Sequence, residues 1–131
     1  ERLLCVELGT AKIVWEYQND RRGGAFFSSP AVNLGSVVIG GRDGRLHCIE
    51  TTSGKRRWAY EAGAEIDGSP VIAGEAVLFG TGDGRLVMIS LTAGKEIWSY
   101  EIGEPIAGSP AVAGGLVLVG CDDGRLYAFG E

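Results

Sequence analysis

The tetrapeptide Asp-Gly-Arg-Leu occurs three times in this chain. Its copies begin at Asp43, Asp83 and Asp123 and are evenly spaced. A fixed period of about 40 residues predicts an array of one supersecondary unit. A Ser-Pro dipeptide follows the same period, at Ser29, Ser69 and Ser109. The sequence therefore predicts a repeat protein, and the positions that differ between copies are the candidates for function.

Each repeat contains four short runs of apolar or aromatic residues, which predict four antiparallel strands, named A to D. Strand A follows Ser-Pro, strands B and C flank Asp-Gly, and strand D carries a tryptophan. Asp-Gly predicts a hairpin with a type I′ turn, which needs positive φ at both central residues. The glycine between strands C and D predicts a left-handed residue. The predicted turn residues are Asp43, Gly44, Gly54, Asp83, Gly84, Gly94, Asp123 and Gly124.

Strand C is apolar on both of its faces. Leu86 and Met88 point to one side, and Val87 and Ile89 point to the other. A two-layer sandwich would show a cleaner alternation of apolar and polar residues. Sheets that pack face to face around an axis bury both sides, so the pattern predicts an all-β fold, a β-propeller with four-stranded antiparallel blades. Helix is nearly excluded, because glycine or proline interrupts almost every stretch of ten residues.

The repeats begin out of phase with the chain. We predict a single partial propeller, residues 1–131, of about three blade equivalents. Residues 1–27 supply strands C and D of a first blade, residues 28–67 and 68–107 form full blades, and residues 108–131 supply strands A, B and C of a last blade. Known propellers close with about four to eight blades. The sequence is therefore expected to be a fragment of a longer propeller, or else to associate with another chain. In a ring of two chains, residues 3–8 and 126–129 would compete for one strand position.

The segment Cys-Ile-Glu-Thr-Thr-Ser-Gly-Lys-Arg-Arg-Trp, from Cys48 to Trp58, resembles the repeat of the quinoprotein-like (PQQ-like) β-propellers. That family's repeat runs Ala-x-Asp-x-x-Thr-Gly-Lys-x-x-Trp. Two further copies end at Trp15 and Trp98, and the first of them has Ala11 in place of the glycine. A Cβ at that position disfavours the left-handed turn. The resemblance implies that Trp15, Trp58 and Trp98 dock each blade against its neighbour.

The resemblance leaves function open, because this family has several activities. It includes quinone-dependent dehydrogenases of the bacterial periplasm, the propeller lipoprotein of the outer-membrane β-barrel assembly machinery, and sensor domains of bacterial kinases. A periplasmic or otherwise extracytoplasmic location is expected on this ground only. A quinoprotein site, as the resemblance implies, uses a calcium ion held by Glu, Asn and Asp, a catalytic Asp and an aromatic platform. We find no such convergent set in the sequence, and we expect no catalytic, cofactor-binding or metal-binding residue here.

The net charge and the lengths of the apolar runs limit the kinds of partner that are expected. The formal net charge of −5 argues against nucleic acid, and no apolar run approaches the ~20 residues that span a bilayer. The three cysteines show no CxxC spacing and are expected to fill apolar space. His47 is the only histidine, and it is expected to be packed or solvated in strand C rather than catalytic. The Asp-Gly residues are expected to serve the turns and not calcium, and Arg45, Arg85 and Arg125 to pair with the preceding Asp.

One loop departs from the repeat. The interval from Trp15 to Pro30 is longer than the equivalent interval between tryptophan and proline in the next two copies. The extra residues fall within 19–24, a basic and glycine-rich stretch. Insertions on one face of a repeat array are often where partners bind. The candidate partner loop therefore contains Arg21, Arg22, Phe26 and Phe27, and the alternative is a tolerated surface insertion.

The sequence and the family resemblance leave two candidate functions. The first is a non-catalytic scaffold or protein-interaction module of the PQQ-like repeat type, with another protein or a second copy of this chain as its partner. The alternative is a fragment of a PQQ-dependent quinoprotein dehydrogenase whose PQQ and calcium site lies on blades not present in this sequence.

Overall fold

The computed structural model describes residues 1–33 and 35–130, so residues 34 and 131, in the predicted second and last blades, lie outside the described part. The described residues form thirteen strands in four antiparallel sheets, and no helix occurs among them. The prediction of an all-β fold is confirmed.

Each sheet is a meander of consecutive strands. Sheet I pairs β1 (Arg2–Val6) with β2 (Ile13–Gln18). Sheet II contains β3 (Ala31–Val32), β4 (Ser36–Gly40), β5 (Arg45–Glu50) and β6 (Arg56–Glu61). Sheet III contains β7 (Val71–Ala73), β8 (Ala76–Gly80), β9 (Arg85–Ser90) and β10 (Glu96–Glu101). Sheet IV contains β11 (Ala111–Ala113), β12 (Leu116–Gly120) and β13 (Leu126–Phe129).

The register of strand C against strand D repeats from sheet to sheet. Cys5 lies opposite Trp15, Cys48 opposite Trp58, and Met88 opposite Trp98. Each of the three pairings also carries an irregularity just before the tryptophan. The copies are thus equivalent in structure as well as in sequence.

Apolar clusters lie between successive sheets. Tyr17 of sheet I packs with Val37 and Ile49 of sheet II, and a second cluster joins sheet II to sheet III through Leu46 and Phe79. A third cluster joins sheets III and IV and contains Leu86, Ile106 and Val119. Because sheets II and III are covered on both faces, strand C is buried on both sides, as the sequence pattern predicts.

The starts of the innermost strands are tied together by one repeated contact. The Ser29 amide donates to the Ser69 hydroxyl at 2.8 Å, and the Ser69 amide donates to the Ser109 hydroxyl at 2.8 Å. Strand β7 lies beside both β3 and β11. The sheets therefore radiate from a common inner edge, which is the arrangement of a partial propeller.

The hairpin between strands B and C differs in type from the prediction. The glycine of each Asp-Gly pair has a positive φ, and none of the three aspartates does. In sheet II the Gly44 amide donates to the Gly41 carbonyl, and the Gly41 amide donates to the Arg45 carbonyl at 2.9 Å. This is a three-residue loop, a type I turn followed by a left-handed glycine. The type I′ prediction is wrong because only the glycine needs the left-handed conformation.

Ala11 does adopt the left-handed conformation that its Cβ disfavours. Its φ is 56°, compared with 70° at Gly54 and 64° at Gly94. Its amide donates to the Glu7 carbonyl at 2.8 Å, just as the Gly54 amide donates to that of Glu50 at 2.9 Å. The expectation that alanine would disturb this turn is wrong, since the turn forms despite the steric cost.

Candidate functional site

The D–A loops and B–C turns of all the sheets emerge at the same end of the array, which we call the loop face. One hydrogen bond repeats along it from blade to blade, from a B–C turn amide to a D–A loop carbonyl. It joins Arg42 to Ala25 at 3.0 Å, Gly82 to Glu65 at 2.8 Å and Asp122 to Pro105 at 3.0 Å. The loop face is therefore a continuous surface in which each loop is fixed to the next blade.

The insertion at residues 19–24 is built into this face rather than extended into solvent. Asn19 is 5% exposed, and its side chain bridges the loop. Its Nδ2 donates to the Gly24 carbonyl at 3.0 Å, and its Oδ1 accepts from the Arg21 amide at 3.0 Å. A Cβ on Gly24 would overlap the Asn19 amide, so glycine is needed there.

Beneath the insertion lies a buried polar cluster, the His47 network, formed by Tyr17, Asn19, Asp20, Asp43, Arg45 and His47. His47 is fully buried, with Nδ1 2.8 Å from the Tyr17 hydroxyl and Nε2 3.0 Å from Asp43 Oδ2. Arg45 Nε donates to Asp43 Oδ2 at 2.6 Å. A second Arg45 nitrogen donates to Asn19 Oδ1 at 2.9 Å and to the Asp20 carboxylate. The network thus connects strand β2, the insertion, the B–C turn and strand β5.

The charges in the network follow from burial and pairing. Burial lowers the pKa of His47 from its ordinary value of 6.5, although Asp43 opposes that shift. Burial by itself would raise the pKa of Asp43, but hydrogen bonds from Arg45 and the neighbouring His47 hold it below its ordinary value. Asp43 is therefore ionised and accepts a hydrogen bond from Nε2. Nδ1 of the neutral imidazole then accepts from the Tyr17 hydroxyl.

The network belongs to one copy of the repeat only. The position of His47 is occupied by Val87 in sheet III and by Tyr127 in sheet IV. Arg85 pairs with Asp83 at 3.3 Å, but that aspartate is about half exposed, whereas the Asp43 side chain is 1% exposed. The predicted pairing of arginine with the preceding aspartate is therefore present in the first two copies, buried in one and open in the other. In the third copy the Asp123 carboxylate accepts instead from the Tyr127 hydroxyl at 2.6 Å and from the Arg125 backbone amide at 2.9 Å.

The sequence alone does not join these residues into one site. His47 and the insertion both depart from the repeat, but they lie far apart in the sequence, one in strand β5 and the other in a loop. The signal was that both departures fall on the same end of the same blade interface. Tyr17 gave no signal at all, because Tyr60 and Tyr100 occupy the same position in the other copies.

The candidate partner residues flank this network. Phe27 is 63% exposed, and the Arg42 guanidinium lies 4.2 Å from its ring centre. Phe26 is half-buried, with its ring centre 5.3 Å from that of His47. Arg21 pairs with Glu61 at 2.5 Å, and Arg22 is exposed. Of the four predicted residues, Arg21, Arg22 and Phe27 are therefore exposed, with Arg21 paired, and Phe26 packs against His47.

Each tryptophan of the repeat lies against the following blade. Trp15 Nε1 donates to the Thr51 carbonyl at 2.8 Å, and Trp58 Nε1 donates to the Leu91 carbonyl at 2.8 Å. A Cβ on Gly54 would lie 2.7 Å from the Trp15 ring, so glycine leaves room for the indole. Trp98 lies edge-to-face with Phe129, with 5.4 Å between ring centres. These contacts support the docking role predicted for the three tryptophans.

Two concave regions are also present among the described residues. A cleft of about 190 Å³ on the loop face is lined by acidic residues, among them Glu65, Asp67 and Asp122. A cavity of about 620 Å³ between sheets III and IV is lined mainly by apolar side chains, including Met88, Trp98 and Val117. Within residues 1–33 and 35–130, no group of three or more His, Cys, Asp or Glu side chains is arranged to hold a metal ion.

Radially packed antiparallel sheets of two to four strands, with the indoles of Trp15 and Trp58 seated on the turn of the next blade, define a partial β-propeller of the PQQ-repeat class. A family model described as outer membrane protein assembly factor BamB matches residues 1–130. The chain therefore belongs to this family of PQQ-type repeat propellers.

Solved structures show the same fold. BamB from Moraxella catarrhalis superposes with a TM-score of 0.79 at 23% identity, over 98% of this chain and 39% of that one. The quinohemoprotein alcohol dehydrogenase ADHIIG from Pseudomonas putida HK5 gives 0.75 at 20% identity, over 82% and 19%. A europium-containing methanol dehydrogenase gives 0.69 at 20% identity, over 82% and 24%. The chain thus spans less than half the length of each of these proteins.

A comparison with curated protein sequences gave no significant match. Among the described residues there is no helix long and apolar enough to cross a bilayer.

Proposed function

We propose that this chain acts as a non-catalytic protein-interaction module that binds its partner through the loop face. The single observation that carries the proposal is the ordered insertion at residues 19–24. It departs from the repeat, and it is held in one conformation by Asn19 and Arg45. A loop ordered before binding loses less entropy when a partner docks, so a preorganised loop on a rigid scaffold is suited to recognition.

The exposed groups around the insertion suit a protein partner. The Arg42 guanidinium lies over the exposed Phe27 ring and is paired with Asp67 at 2.9 Å, and Arg22 adds an exposed cation. Aromatic and arginine side chains are the residues most enriched at the energetic centres of protein interfaces. The cleft that contains Glu65 and Asp122 adds the opposite charge on the same face, and its third acidic residue, Asp67, is the partner of Arg42. A partner with a matching pair of charged patches would therefore find a defined orientation.

Family membership supports the identity of the partner and the location. The matching family is described as an outer membrane protein assembly factor. We accordingly propose that the partner is a protein component of outer-membrane assembly, and that the chain works outside the cytoplasm.

Site-specific photo-crosslinking tests this proposal. A photoreactive residue replaces Phe27 on the loop face, and in a matched control it replaces Thr92, an exposed residue in the C–D turn at the opposite end of sheet III. In extracts of the source cells, the first variant is expected to crosslink to one component of outer-membrane assembly and the control is not. The same products from both faces, or none from position 27, would contradict the proposal.

A second copy of this chain is the other partner we propose. Strand β13 has no neighbour on its outer edge among the described residues, and Leu126 in it is 71% exposed. The equivalent Leu46 and Leu86 are fully buried, and each lies opposite a tyrosine of the paired strand, Tyr60 or Tyr100. The open edge therefore suits a strand that carries the Trp-x-Tyr pattern of this repeat.

The alternative function is that of a fragment of a quinone-dependent dehydrogenase, and it rests on the shared fold alone. Residues 1–33 and 35–130 contain no group of three or more His, Cys, Asp or Glu side chains arranged to hold the calcium ion of such a site. Because the alternative puts its cofactor site on further blades, titration of a longer parent protein that contains those blades with PQQ and calcium distinguishes the two functions. We expect no saturable change in the quinone absorbance, and a saturable change would favour the dehydrogenase.

A further inference from the structure

The His47 imidazole is the central connection of the network beneath the insertion. On one side it accepts from Tyr17, two residues before the insertion begins, and on the other it donates to Asp43. Asp43 also orients Arg45, whose guanidinium holds Asn19 and Asp20. Asn19 in turn closes the insertion on Gly24. A continuous chain of hydrogen bonds therefore runs from the imidazole to the loop.

The titratable groups packed around His47 influence whether its imidazole takes up a second proton. Strand β2 contributes the Tyr17 hydroxyl, the B–C turn contributes the Asp43 carboxylate, and strands β5 and β6 contribute the Arg45 and Arg56 guanidinium groups. Phe26 covers the ring with its edge. One anion, Asp43, thus faces the buried imidazole together with two cations, and a second anion, Asp20, pairs with both guanidinium groups.

A second proton on the imidazole disfavours this arrangement. Nδ1 would become a donor, so the Tyr17 hydroxyl would have to change from donor to acceptor. The new cation would be buried next to two arginines, and it would compete with Arg45 for Asp43. Arg45 is the group that holds Asn19 and Asp20, so the insertion would lose its attachment.

We propose that His47 is a proton-sensitive latch that holds residues 19–24 in the ordered conformation when it is neutral and releases them when it is protonated. The sign follows from burial, which lowers the pKa of His47 in the folded chain below 6.5. Stability contributed by the latch is complete above pH 6.5 and is lost as the pH falls through the lower, folded value. The latch itself stands on the geometry, and its consequence for partner binding rests on the proposed function of the loop face.

Nuclear magnetic resonance of the imidazole tests the first part directly, because His47 is the only histidine in the sequence. At about pH 7.5 the nitrogen shifts are expected to show a neutral ring with its proton on Nε2. The titration midpoint is expected below 6.5. Tyr17→Phe removes the donated proton and keeps the ring, so its midpoint is expected above that of the unaltered chain. A proton on Nδ1, or a midpoint at or above 6.5, overturns the latch.

Amide hydrogen exchange tests the second part. The Arg21 and Gly24 amides report on the insertion, and the Gly82 and Asp122 amides report on the other two loop-face contacts. After correction for intrinsic rates, protection of the first pair is expected to fall about tenfold between pH ~7.5 and ~5 while the second pair changes little. His47→Val is the matched variant, because sheet III carries Val87 at this position.

The variant is expected to abolish the pH dependence of the insertion amides. An equal pH dependence in His47→Val, or unchanged protection in the original chain, overturns the proposal. Neither measurement uses a partner. A failure of the latch is therefore distinguishable from a failure of the proposed function, which the crosslinking experiment alone addresses.

Discussion

The residue between strands C and D is left-handed in each sheet in which both strands are described, but only one of these residues is alanine. Ala11 has a φ of 56°, a conformation that glycine would adopt without a steric clash. A left-handed residue with a Cβ costs roughly 1–2 kcal/mol. Glycine avoids this steric cost, but it loses more backbone entropy on folding, which offsets part of the difference. The turn is thus a local source of strain.

We expect Ala11→Gly to stabilise the chain by up to about 1 kcal/mol. Gly54→Ala is the matched reverse change, and it should destabilise more strongly, because its Cβ would also press on Trp15. Urea unfolding midpoints at constant slope measure both changes. A loss of stability in Ala11→Gly would show that the turn is not strained.

Asp43 and Asp83 occupy the same turn position in different surroundings. Asp43→Asn removes the charge that faces Arg45 and His47 in a buried site, and we expect a loss of about 3 kcal/mol. Asp83→Asn removes a carboxylate that is about half exposed, and we expect a much smaller loss. Denaturant unfolding of the two variants at neutral pH provides the comparison. Equal losses would mean that the His47 network adds nothing to stability.

At the scale of the strand and the sheet, the tryptophans connect one blade to the next. Trp58 both donates a hydrogen bond to Leu91 and lies on Gly94. We expect Trp58→Phe to destabilise the chain by about 2 kcal/mol, through the lost hydrogen bond and the smaller buried ring. Ile97→Ala changes a side chain that is 58% exposed and serves as the control. Unfolding followed by circular dichroism measures both, and comparable effects would contradict the docking role.

The strands could be predicted because the same sequence pattern recurs in each repeat. Apolar runs, Ser-Pro and Asp-Gly recur at one fixed interval, so an ambiguity in one copy is resolved by the others. The type of the B–C turn could not be predicted. Asp-Gly suits more than one hairpin loop, and the choice depends on Gly41, whose amide and carbonyl both close the loop.

The site was only partly predictable for a related reason. Repetition reveals what the copies share, whereas the His47 network depends on what one copy alone contains. Asn19 and Arg45 are both polar residues in predicted surface positions, and nothing in the sequence indicates that they are buried together. Their burial depends on how sheet I packs against sheet II, which is a tertiary feature.

For the molecule as a whole, apolar groups at the outer faces of sheets I and IV predict association. Leu4, Ile13 and Val14 in sheet I, and Leu116 and Leu126 in sheet IV, are each at least 44% exposed. Exposed apolar surface of this extent favours contact with another chain. At micromolar concentration we expect a mass above 13.8 kDa by analytical ultracentrifugation.

Leu126→Lys should reduce that mass, because it places a charge on the free edge of β13. Thr92→Lys, at an exposed loop position of sheet III, is the control and should leave the mass unchanged. A monomer at every concentration would rule out self-association.

The methyl group of Ala11 also affects which of two strands could occupy one position in a closed ring. At Gly54 and Gly94, the corresponding space is filled by an indole from the preceding blade. If two chains closed a ring, the position beside Trp98 would go either to β13 of the same chain or to β1 of the other, which brings Ala11 with it. A methyl group there collides with the incoming ring, whereas Trp98 already rests on Phe129. Strand β13 would keep its place, and β1 of the second chain would be displaced from the ring.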